Sequence, residues 1–190
     1  AELDAGQYTS AHELADSVLR DYAATDPDYP PTEIAARIVR GDAARYLGDT
    51  EAARADLRQA ALEAQRLGAS DTFGQAASGL VWELGEVGDE FEAALLWADL
   101  GAAAQARADD DPQLAATLLN SRAAVLTNTG RTDEAIAAHE ARLRLIAEHW
   151  GPDDPLTMIS HVNLANIDNR LGRVSEAEAA YTRAIEVGSR

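Results

Sequence analysis

The sequence contains no cysteine and no lysine, and only two phenylalanines and one methionine. Without cysteine there can be no disulfide framework, no thiolate metal site and no cysteine nucleophile. No stretch approaches the ~20 consecutive apolar residues that a membrane-spanning helix needs. No basic-then-apolar signal segment opens the chain. These absences predict a cytoplasmic protein that does not bind membranes.

The charge of the chain has one dominant sign. Thirty-three acidic side chains face sixteen basic ones, all of them arginine, and the formal net charge is −17. Such a field repels the phosphates of nucleic acids, so we expect no nucleic-acid partner. A neutral to basic protein or peptide is the predicted partner. The excess of alanine and arginine without lysine also indicates a genome of high GC content, which predicts a bacterial source.

A regular repeat runs through the sequence. Its markers are five glycines spaced by 42, 40, 42 and 42 residues: Gly6, Gly48, Gly88, Gly130 and Gly172. Five positions after each glycine stands an alanine: Ala11, Ala53, Ala93, Ala135 and Ala177. A glycine can take the left-handed conformation that ends a helix. An alanine one turn into the next helix allows two antiparallel helices to approach closely.

The repeat predicts an all-α fold, a right-handed α-α superhelix of about four and a half helical hairpins. Apolar residues recur at helical spacing between the glycines, as in Leu164, Ile167 and Leu171. The predicted helices are 7–25, 32–47, 50–67, 72–86, 90–107, 112–128, 132–149, 155–170 and 175–188.

Candidate capping residues open several of these helices. Thr50, Thr132 and Ser175 are predicted N-caps that follow a repeat glycine. The pairs Asp111-Pro112 and Asp154-Pro155 each predict an N-cap followed by proline at the first helical position. The acidic runs from Asp109 to Asp111 and at Asp153 with Asp154 are interpreted as capping charges rather than as a metal site.

The last repeat carries a recognisable pattern. Its segments are Gly151-Pro152-Asp153-Asp154-Pro155, Asn163-Leu164-Ala165-Asn166, Leu171-Gly172-Arg173, Glu176-Ala177-Glu178 and Tyr181. This pattern resembles the 42-residue tetratricopeptide repeat (TPR) of the kinesin-light-chain type. The resemblance implies a TPR solenoid over residues 1–190: a truncated repeat at 1–25, then repeats at 32–67, 72–107, 112–149 and 155–188. The layout also resembles repeat extensions of bacterial serine/threonine kinases, which would imply a signalling protein as the parent.

The residues give no support for catalysis, so we predict that the protein is not an enzyme and has no catalytic, cofactor or metal site. The four histidines are scattered, and neither His12-Glu13 nor His139-Glu140 is followed by a second histidine at zincin spacing. His139 and His161 occupy positions where such repeats bury a bulky side chain, and both are interpreted as packed residues. Gly-rich phosphate loops and nucleophile elbows are absent.

The predicted function is to bind a peptide or protein segment in a concave groove, which the first helix of each hairpin lines in such arrays. The candidate peptide-binding residues on these first helices are Asp42, Arg45, Tyr46, Trp82, Glu86, Asn120, Asn128, Asn163, Asn166, Asn169 and Arg170. The resemblance singles out Asn166, because asparagines at matching places contact peptides in family members.

Three alternatives stay open at this stage. The ridge of Asn163, Asn166 and Asn169 is either a peptide-binding surface or a solvated helix face. Trp82 is either an aromatic anchor or a residue buried against the next hairpin. The chain as a whole either binds a ligand or acts as a self-associating or regulatory segment of a larger bacterial signalling protein, forming homo-oligomers through its terminal helices.

Overall fold

The protein is described by a computed structural model that covers residues 5–25, 30–107 and 111–189. These residues form nine α-helices and no strand, which confirms the predicted all-α fold. The helices are α1 (Ala5–Thr25), α2 (Pro30–Leu47), α3 (Thr50–Leu67), α4 (Ser70–Trp82), α5 (Phe91–Gln105), α6 (Pro112–Asn128), α7 (Thr132–His149), α8 (Thr157–Arg170) and α9 (Val174–Gly188).

The chain divides into two compact units, residues 1–110 with α1–α5 and residues 111–190 with α6–α9. Within each unit, consecutive helices pack against one another as hairpins. None of the described helices is long and apolar enough to span a membrane.

The N-caps agree only in part with the sequence prediction. Asp111 caps α6, since its side chain accepts hydrogen bonds from the backbone N–H groups of Gln113 and Leu114, and Pro112 opens the helix. Asp109 and Asp110 lie outside the described residues. At α3 the prediction is wrong by one residue, because Asp49 rather than Thr50 caps the helix by accepting a hydrogen bond from the Ala52 N–H.

Helices α7, α8 and α9 also depart from the predicted caps. Thr132 and Ser175 lie within the first turns of α7 and α9, whose N-cap residues are arginines without a capping side-chain bond. Helix α8 begins at Thr157, so Asp154-Pro155 precedes it. Asp154 instead stabilises the turn before the helix, where its Oδ1 accepts a hydrogen bond from the N–H of Leu156 at 2.9 Å.

Three of the five repeat glycines end a helix in the predicted way. Gly48, Gly130 and Gly172 have φ angles of 83°, 72° and 72°, in the left-handed region that favours glycine. The prediction is wrong for the other two. Gly6 lies in the first turn of α1, and Gly88 has a φ of −100°.

A π-helical turn at Glu83–Val87 explains the behaviour of Gly88. This turn continues α4 and takes up one extra residue, as π turns do. The left-handed position therefore falls on the next residue, Asp89, with a φ of 54°. Measured between left-handed residues, the repeats are 41 (48 to 89), 41 (89 to 130) and 42 (130 to 172) residues long.

The buried alanines follow the left-handed residues rather than the glycines. Ala53, Ala135 and Ala177 are buried as predicted. In α5, however, Ala94 is fully buried and the predicted Ala93 is only half-buried. Ala94 stands five residues after Asp89, as Ala53 does after Gly48. The extra residue of the π turn thus moves the contact face of α5 by one position.

A buried arginine ties three helices of the second unit together. Arg142 of α7 lies in the core and donates hydrogen bonds to the Ala116 carbonyl of α6 at 3.1 Å, the Leu156 carbonyl at 2.8 Å and Ser160 Oγ of α8 at 2.7 Å. Burial lowers the pKa of Arg142. Because its donors meet two buried oxygens and one part-buried oxygen, the guanidinium fixes how α6, α7 and α8 pack.

Candidate functional site

Four predicted binding residues come together on the α2–α4 face of the first unit. The guanidinium carbon of Arg45 lies 4.9 Å from the ring centroid of Tyr46 and 5.8 Å from that of Trp82. Its Nη2 lies 3.3 Å from Oδ1 of Asp42. We call Asp42, Arg45, Tyr46 and Trp82 the Arg45 cluster.

The aromatic side chains of the Arg45 cluster are accessible. Tyr46 is 59% exposed and Trp82 is 42% exposed. Both rings also contact the Arg45 guanidinium, an arrangement in which cation–π attraction holds the side chains in place. Trp82 is therefore a surface residue of α4, and the alternative that it is buried against the next hairpin is wrong.

An aromatic residue that was not predicted from the sequence supports the Arg45 cluster. Tyr8 of α1 stacks on Tyr46 with ring centroids 4.2 Å apart and an interplanar angle of 14°. The stack limits the rotamers of Tyr46 and so preorganises it. No pattern in the sequence marked Tyr8, because it lies 38 residues before its partner and outside the first helices on which the candidates were sought.

A buried carboxylate lies beneath the same face. Glu83, at the start of the π turn, is 1% exposed, and neither of its carboxylate oxygens has a hydrogen-bond partner among the described residues. Burial raises the pKa of Glu83, while the positive charges of Arg45 and Arg54 oppose that shift. Burial also raises the pKa of Asp42, and the positive charge of Arg45 opposes that shift. The sequence signal for Glu83 is an acid inside an apolar run, Leu80-Val81-Trp82-Glu83-Leu84.

Arg54 of α3 braces the π turn. Its Nη2 donates to the Glu83 carbonyl at 2.9 Å and its Nη1 to Glu90 Oε1 at 2.8 Å. The guanidinium passes over Gly88, where a side chain would collide with it. A side chain at Gly88 would therefore displace the Arg54 guanidinium. Glu86, the remaining candidate of this unit, lies exposed in the same turn.

The candidate residues of the second unit lie on two helices. Asn163 is half-buried on α8, and Asn166, Asn169 and Arg170 are exposed further along it. Asn166 Oδ1 accepts a hydrogen bond from the Tyr181 hydroxyl of α9 at 2.6 Å. The asparagine that the resemblance singled out thus has its carbonyl oxygen engaged within the hairpin.

The two asparagines of α6 differ in burial. Asn120 is half-buried, and its Oδ1 is inaccessible to solvent without a hydrogen-bond partner among the described residues. Asn128 is exposed at the end of the helix. A buried unpaired amide oxygen costs free energy unless a ligand or water satisfies it.

Of the two histidines predicted to be packed, one is fully buried and the other only in part. His139 is buried, and burial together with the nearby Arg142 lowers its pKa to about 4. His161 is half-buried, and its pKa is lowered by burial and by Arg183. Among the described residues, no group of three or more histidine, aspartate or glutamate side chains is arranged to hold a metal ion.

Comparison with known proteins assigns the second unit to a family. The sequence model of the tetratricopeptide repeat matches residues 113–188. These residues are similar to tetratricopeptide repeats. No curated protein matches the sequence.

The TPR fold extends over the rest of the chain. BtubC (BKLC) from P. vanneervenii has a TM-score of 0.78 at 18% identity, covering 98% of this chain and 74% of its own. A putative kinesin light chain of P. anserina with nearly identical TPR-like repeats has a TM-score of 0.74 at 19% identity. The match covers 97% of this chain and 88% of that protein. A single-substitution variant of that kinesin light chain has a TM-score of 0.76 at 19% identity. The match covers 96% of this chain and 87% of the variant.

These findings confirm the predicted TPR solenoid and its resemblance to kinesin-light-chain repeats. Identities below 20% show a common fold and nothing more about the activity of this chain. The TPR fold in general mediates protein–protein interaction and is in general not enzymatic.

Proposed function

We propose that this chain is an interaction module that binds a neutral to basic peptide segment of another protein at the Arg45 cluster. The observation that carries the proposal is the layer formed by Tyr46, Arg45 and Trp82 on the neighbouring helices α2 and α4. Aromatic and arginine side chains that are already ordered contribute most to binding at protein interfaces.

Each member of the Arg45 cluster has a distinct role in this proposal. The rings of Tyr46 and Trp82 pack against apolar parts of the ligand. Arg45 donates hydrogen bonds to a peptide carbonyl from a position that the rings fix. Asp42 and the net charge of −17 favour a basic ligand over an acidic one.

The α8 surface of the second unit is proposed as a separate peptide-binding surface. The amides of Asn163 and Asn169 can both donate to and accept from a peptide backbone. Asn166 offers its N–H donors, because Tyr181 already bonds its carbonyl oxygen. Such contacts select an extended backbone rather than a particular sequence.

The test uses the full chain and a displayed library of unstructured 12-residue peptides. Peptides recovered from the library are measured by calorimetry against the wild type and Trp82→Ala. We expect Trp82→Ala to weaken binding about tenfold or more, as loss of an aromatic anchor does. Trp150→Ala is the matched control, since Trp150 is similarly exposed (40%) but lies in the other unit. Equal affinity for wild type and Trp82→Ala would reject the proposed site.

Self-association through the terminal helices is the second candidate function. Helix α9 exposes two aliphatic side chains, Ile185 (71%) and Val174 (57%), which are the candidate contact residues. Light scattering across a concentration series would show a dimer that Ile185→Asp dissociates. A constant monomer mass would remove this candidate. The bacterial source, the cytoplasmic location and the kinase-linked parent protein stay predictions.

A further inference from the structure

Buried hydrogen-bonding atoms of opposite charge are left unpaired beneath the Arg45 cluster. Glu83 is 1% exposed, and neither of its carboxylate oxygens has a hydrogen-bond partner among the described residues. The Nε atoms of Arg45 and Arg54 are also buried, and within the same described ranges neither has a partner. A carboxylate accepts hydrogen bonds and a guanidinium donates them, so each group lacks what the other offers. Such a set of unpaired buried atoms needs an explanation.

The protonation state of Glu83 explains why its carboxyl group lacks a donor. An ionised carboxylate that is buried without hydrogen bonds is strongly unfavourable, whereas the neutral acid is tolerated far better. Burial raises the pKa of Glu83 and the negative charge of Asp42 adds to the shift, while Arg45 and Arg54 oppose it. The observed arrangement, in which no donor reaches the carboxyl group, therefore suits neutral Glu83.

The charged side chains that act on Glu83 come from two neighbouring helices. Asp42 and Arg45 lie on α2 and Arg54 lies on α3, and Arg45 acts on the carboxylate more strongly than Arg54 does. Helix α5 also packs on the π turn. On α4, the π turn and α5, with the loop between them, the remaining acids are exposed to solvent: Asp71, Glu86, Asp89, Glu90, Glu92 and Asp99.

The two arginines differ in how firmly they are held. Arg54 is anchored by two hydrogen bonds, at 2.8 Å to Glu90 and at 2.9 Å to the backbone carbonyl of Glu83. The ion pair of Arg45 with Asp42 is 3.3 Å long, and the Asp42 side chain is 44% exposed. A long, exposed pair of this kind contributes little. Arg45 is therefore the arginine that can turn towards an ionised Glu83.

Glu83 and the exposed ring of the cluster belong to one helical turn. Trp82 and Glu83 are consecutive, and successive helical side chains point about 100° apart. The indole ring can therefore lie at the surface while the next side chain enters the interior. Glu83 also opens the π turn, a type of distortion that occurs often at functional sites.

We infer that Glu83 is a positioning residue of the Arg45 cluster. While Glu83 is neutral, the Arg45 guanidinium stays against the rings of Tyr46 and Trp82. When Glu83 loses its proton to solvent, the guanidinium turns inwards to pair with it, and the layer that binds peptide is lost. Binding therefore weakens as the pH rises and takes up a proton where Glu83 is ionised. This inference rests on the function proposed above, since it describes how that surface is held.

The first test needs no ligand and uses NMR on the full chain. The indole N–H of Trp82 and the Nε–H of Arg45 are followed from pH 4.5 to 7.5 in ¹⁵N-labelled protein. We expect both signals to shift with one common midpoint, because the guanidinium leaves the ring when Glu83 ionises. In Glu83→Gln, whose amide stays neutral, both signals should keep the low-pH positions of the wild type throughout.

Control variants assign this titration to one acid. Asp42→Asn removes the other acid beside Arg45, and Glu92→Gln alters an exposed acid of α5. The titration should persist in both. If circular dichroism shows that Glu83→Gln does not fold, Glu83→Met takes its place with the same expected result. A titration that survives in the Glu83 variant and disappears in Asp42→Asn would overturn the inference.

The second test measures binding by calorimetry at pH 5 and pH 7.5. Its probe is a library peptide that Trp82→Ala no longer binds well and that contains no histidine or acidic residue, so that its side chains do not titrate in this range. Wild-type affinity should fall about threefold or more at the higher pH. The measured heat should depend on the ionisation enthalpy of the buffer, because a proton is taken up.

Glu83→Gln separates positioning from a structural effect in the same experiment. It should bind the peptide within about twofold at both pH values and take up no proton, whereas damage to the fold would weaken binding at both. Proton uptake by Glu83→Gln equal to that of the wild type would contradict the inference. The two proposals also fail separately. Peptides whose binding does not depend on Trp82 would reject the proposed function, and NMR signals that do not titrate would reject the role of Glu83.

Discussion

Tyr181 and Asn166 join the two helices of the last hairpin through a single hydrogen bond, in which the phenol hydroxyl of α9 donates to Oδ1 of α8 at 2.6 Å. Both residues are exposed. The bond fixes the amide plane of Asn166, so its two N–H donors have a defined direction. A ligand that needs an acceptor at this position must compete with Tyr181.

The Tyr181–Asn166 bond predicts a measurable coupling. Tyr181→Phe and Asn166→Ala should each lower the free energy of unfolding, and a double-mutant cycle in urea should give a coupling of about 0.5–1 kcal/mol. Additive effects of the two substitutions would show that the bond does not persist in solution.

Arg142 should be far more important for stability than its neighbour Arg144. Arg142→Met removes two buried hydrogen bonds and one part-buried hydrogen bond, and we expect a loss of about 2–3 kcal/mol in the free energy of unfolding. The side chain of Arg144 is 71% exposed, and its Nη1 forms a long ion pair of 3.7 Å with Oε2 of Glu140. Because such an exposed pair contributes little, Arg144→Met should change the free energy of unfolding by less than about 0.5 kcal/mol. Urea denaturation of both variants checks this difference, and similar losses for the two would contradict it.

His139 should make folding sensitive to acid. Its pKa is lowered to about 4 in the folded chain, whereas an unfolded histidine titrates near 6.5. The unfolded chain therefore binds the proton first. Neutral, buried His139 therefore contributes its full stabilisation of the fold above pH 6.5. As the pH falls towards 4, this contribution is lost, and the free energy of unfolding decreases by about 3 kcal/mol.

The pH dependence can be assigned to His139 by substitution. Denaturation midpoints are measured from pH 7 to pH 4.5 for the wild type and for His139→Met, which is apolar and of similar size. The slope between pH 6.5 and 4.5 should be much smaller in the variant. An identical slope in both proteins would mean that another group is responsible.

Gly88 and Gly130 occupy the same place in the sequence repeat but should respond differently to alanine. Gly130→Ala forces alanine into a left-handed conformation and should lower the free energy of unfolding by about 1 kcal/mol, whatever residue stands at position 54. Gly88→Ala should instead displace the Arg54 guanidinium from the Glu83 carbonyl.

The two causes are separated by adding Arg54→Ala. In that background Gly88→Ala should lower the free energy of unfolding markedly less than it does in the wild type. The loss of stability caused by Gly130→Ala should be the same in both backgrounds. Thermal unfolding of the six proteins measures both differences. The same cost of Gly88→Ala in both backgrounds would exclude the steric explanation.

The sequence was sufficient to predict most of the fold because its repeat signals are local. Gly48, Gly130 and Gly172 end helices where their spacing indicates, and the alanines five residues later are buried. The π turn escaped detection, since no residue type encodes the i to i+5 bond, and the shift of the left-handed position to Asp89 follows from that turn.

The candidate site was predictable in its members but not in its arrangement. Helical phase placed Arg45, Tyr46 and Trp82 on first helices, and the structure brings them into contact. Tyr8 and Glu83 were missed. Stacking of Tyr8 depends on the crossing of α1 over α2, and burial of Glu83 depends on the π turn. Neither is a property of a single helix.

The extra residue of α4 bears on how such chains vary in length during evolution. A single insertion in a straight helix would rotate everything after it by about 100°. Here the wider turn absorbs the insertion before Asp89, and Ala94 still meets its neighbours. A first helix that starts one residue further from its left-handed residue than α2 does can therefore keep its second helix in register, although the repeat that contains it, at 41 residues, is no longer than the next one.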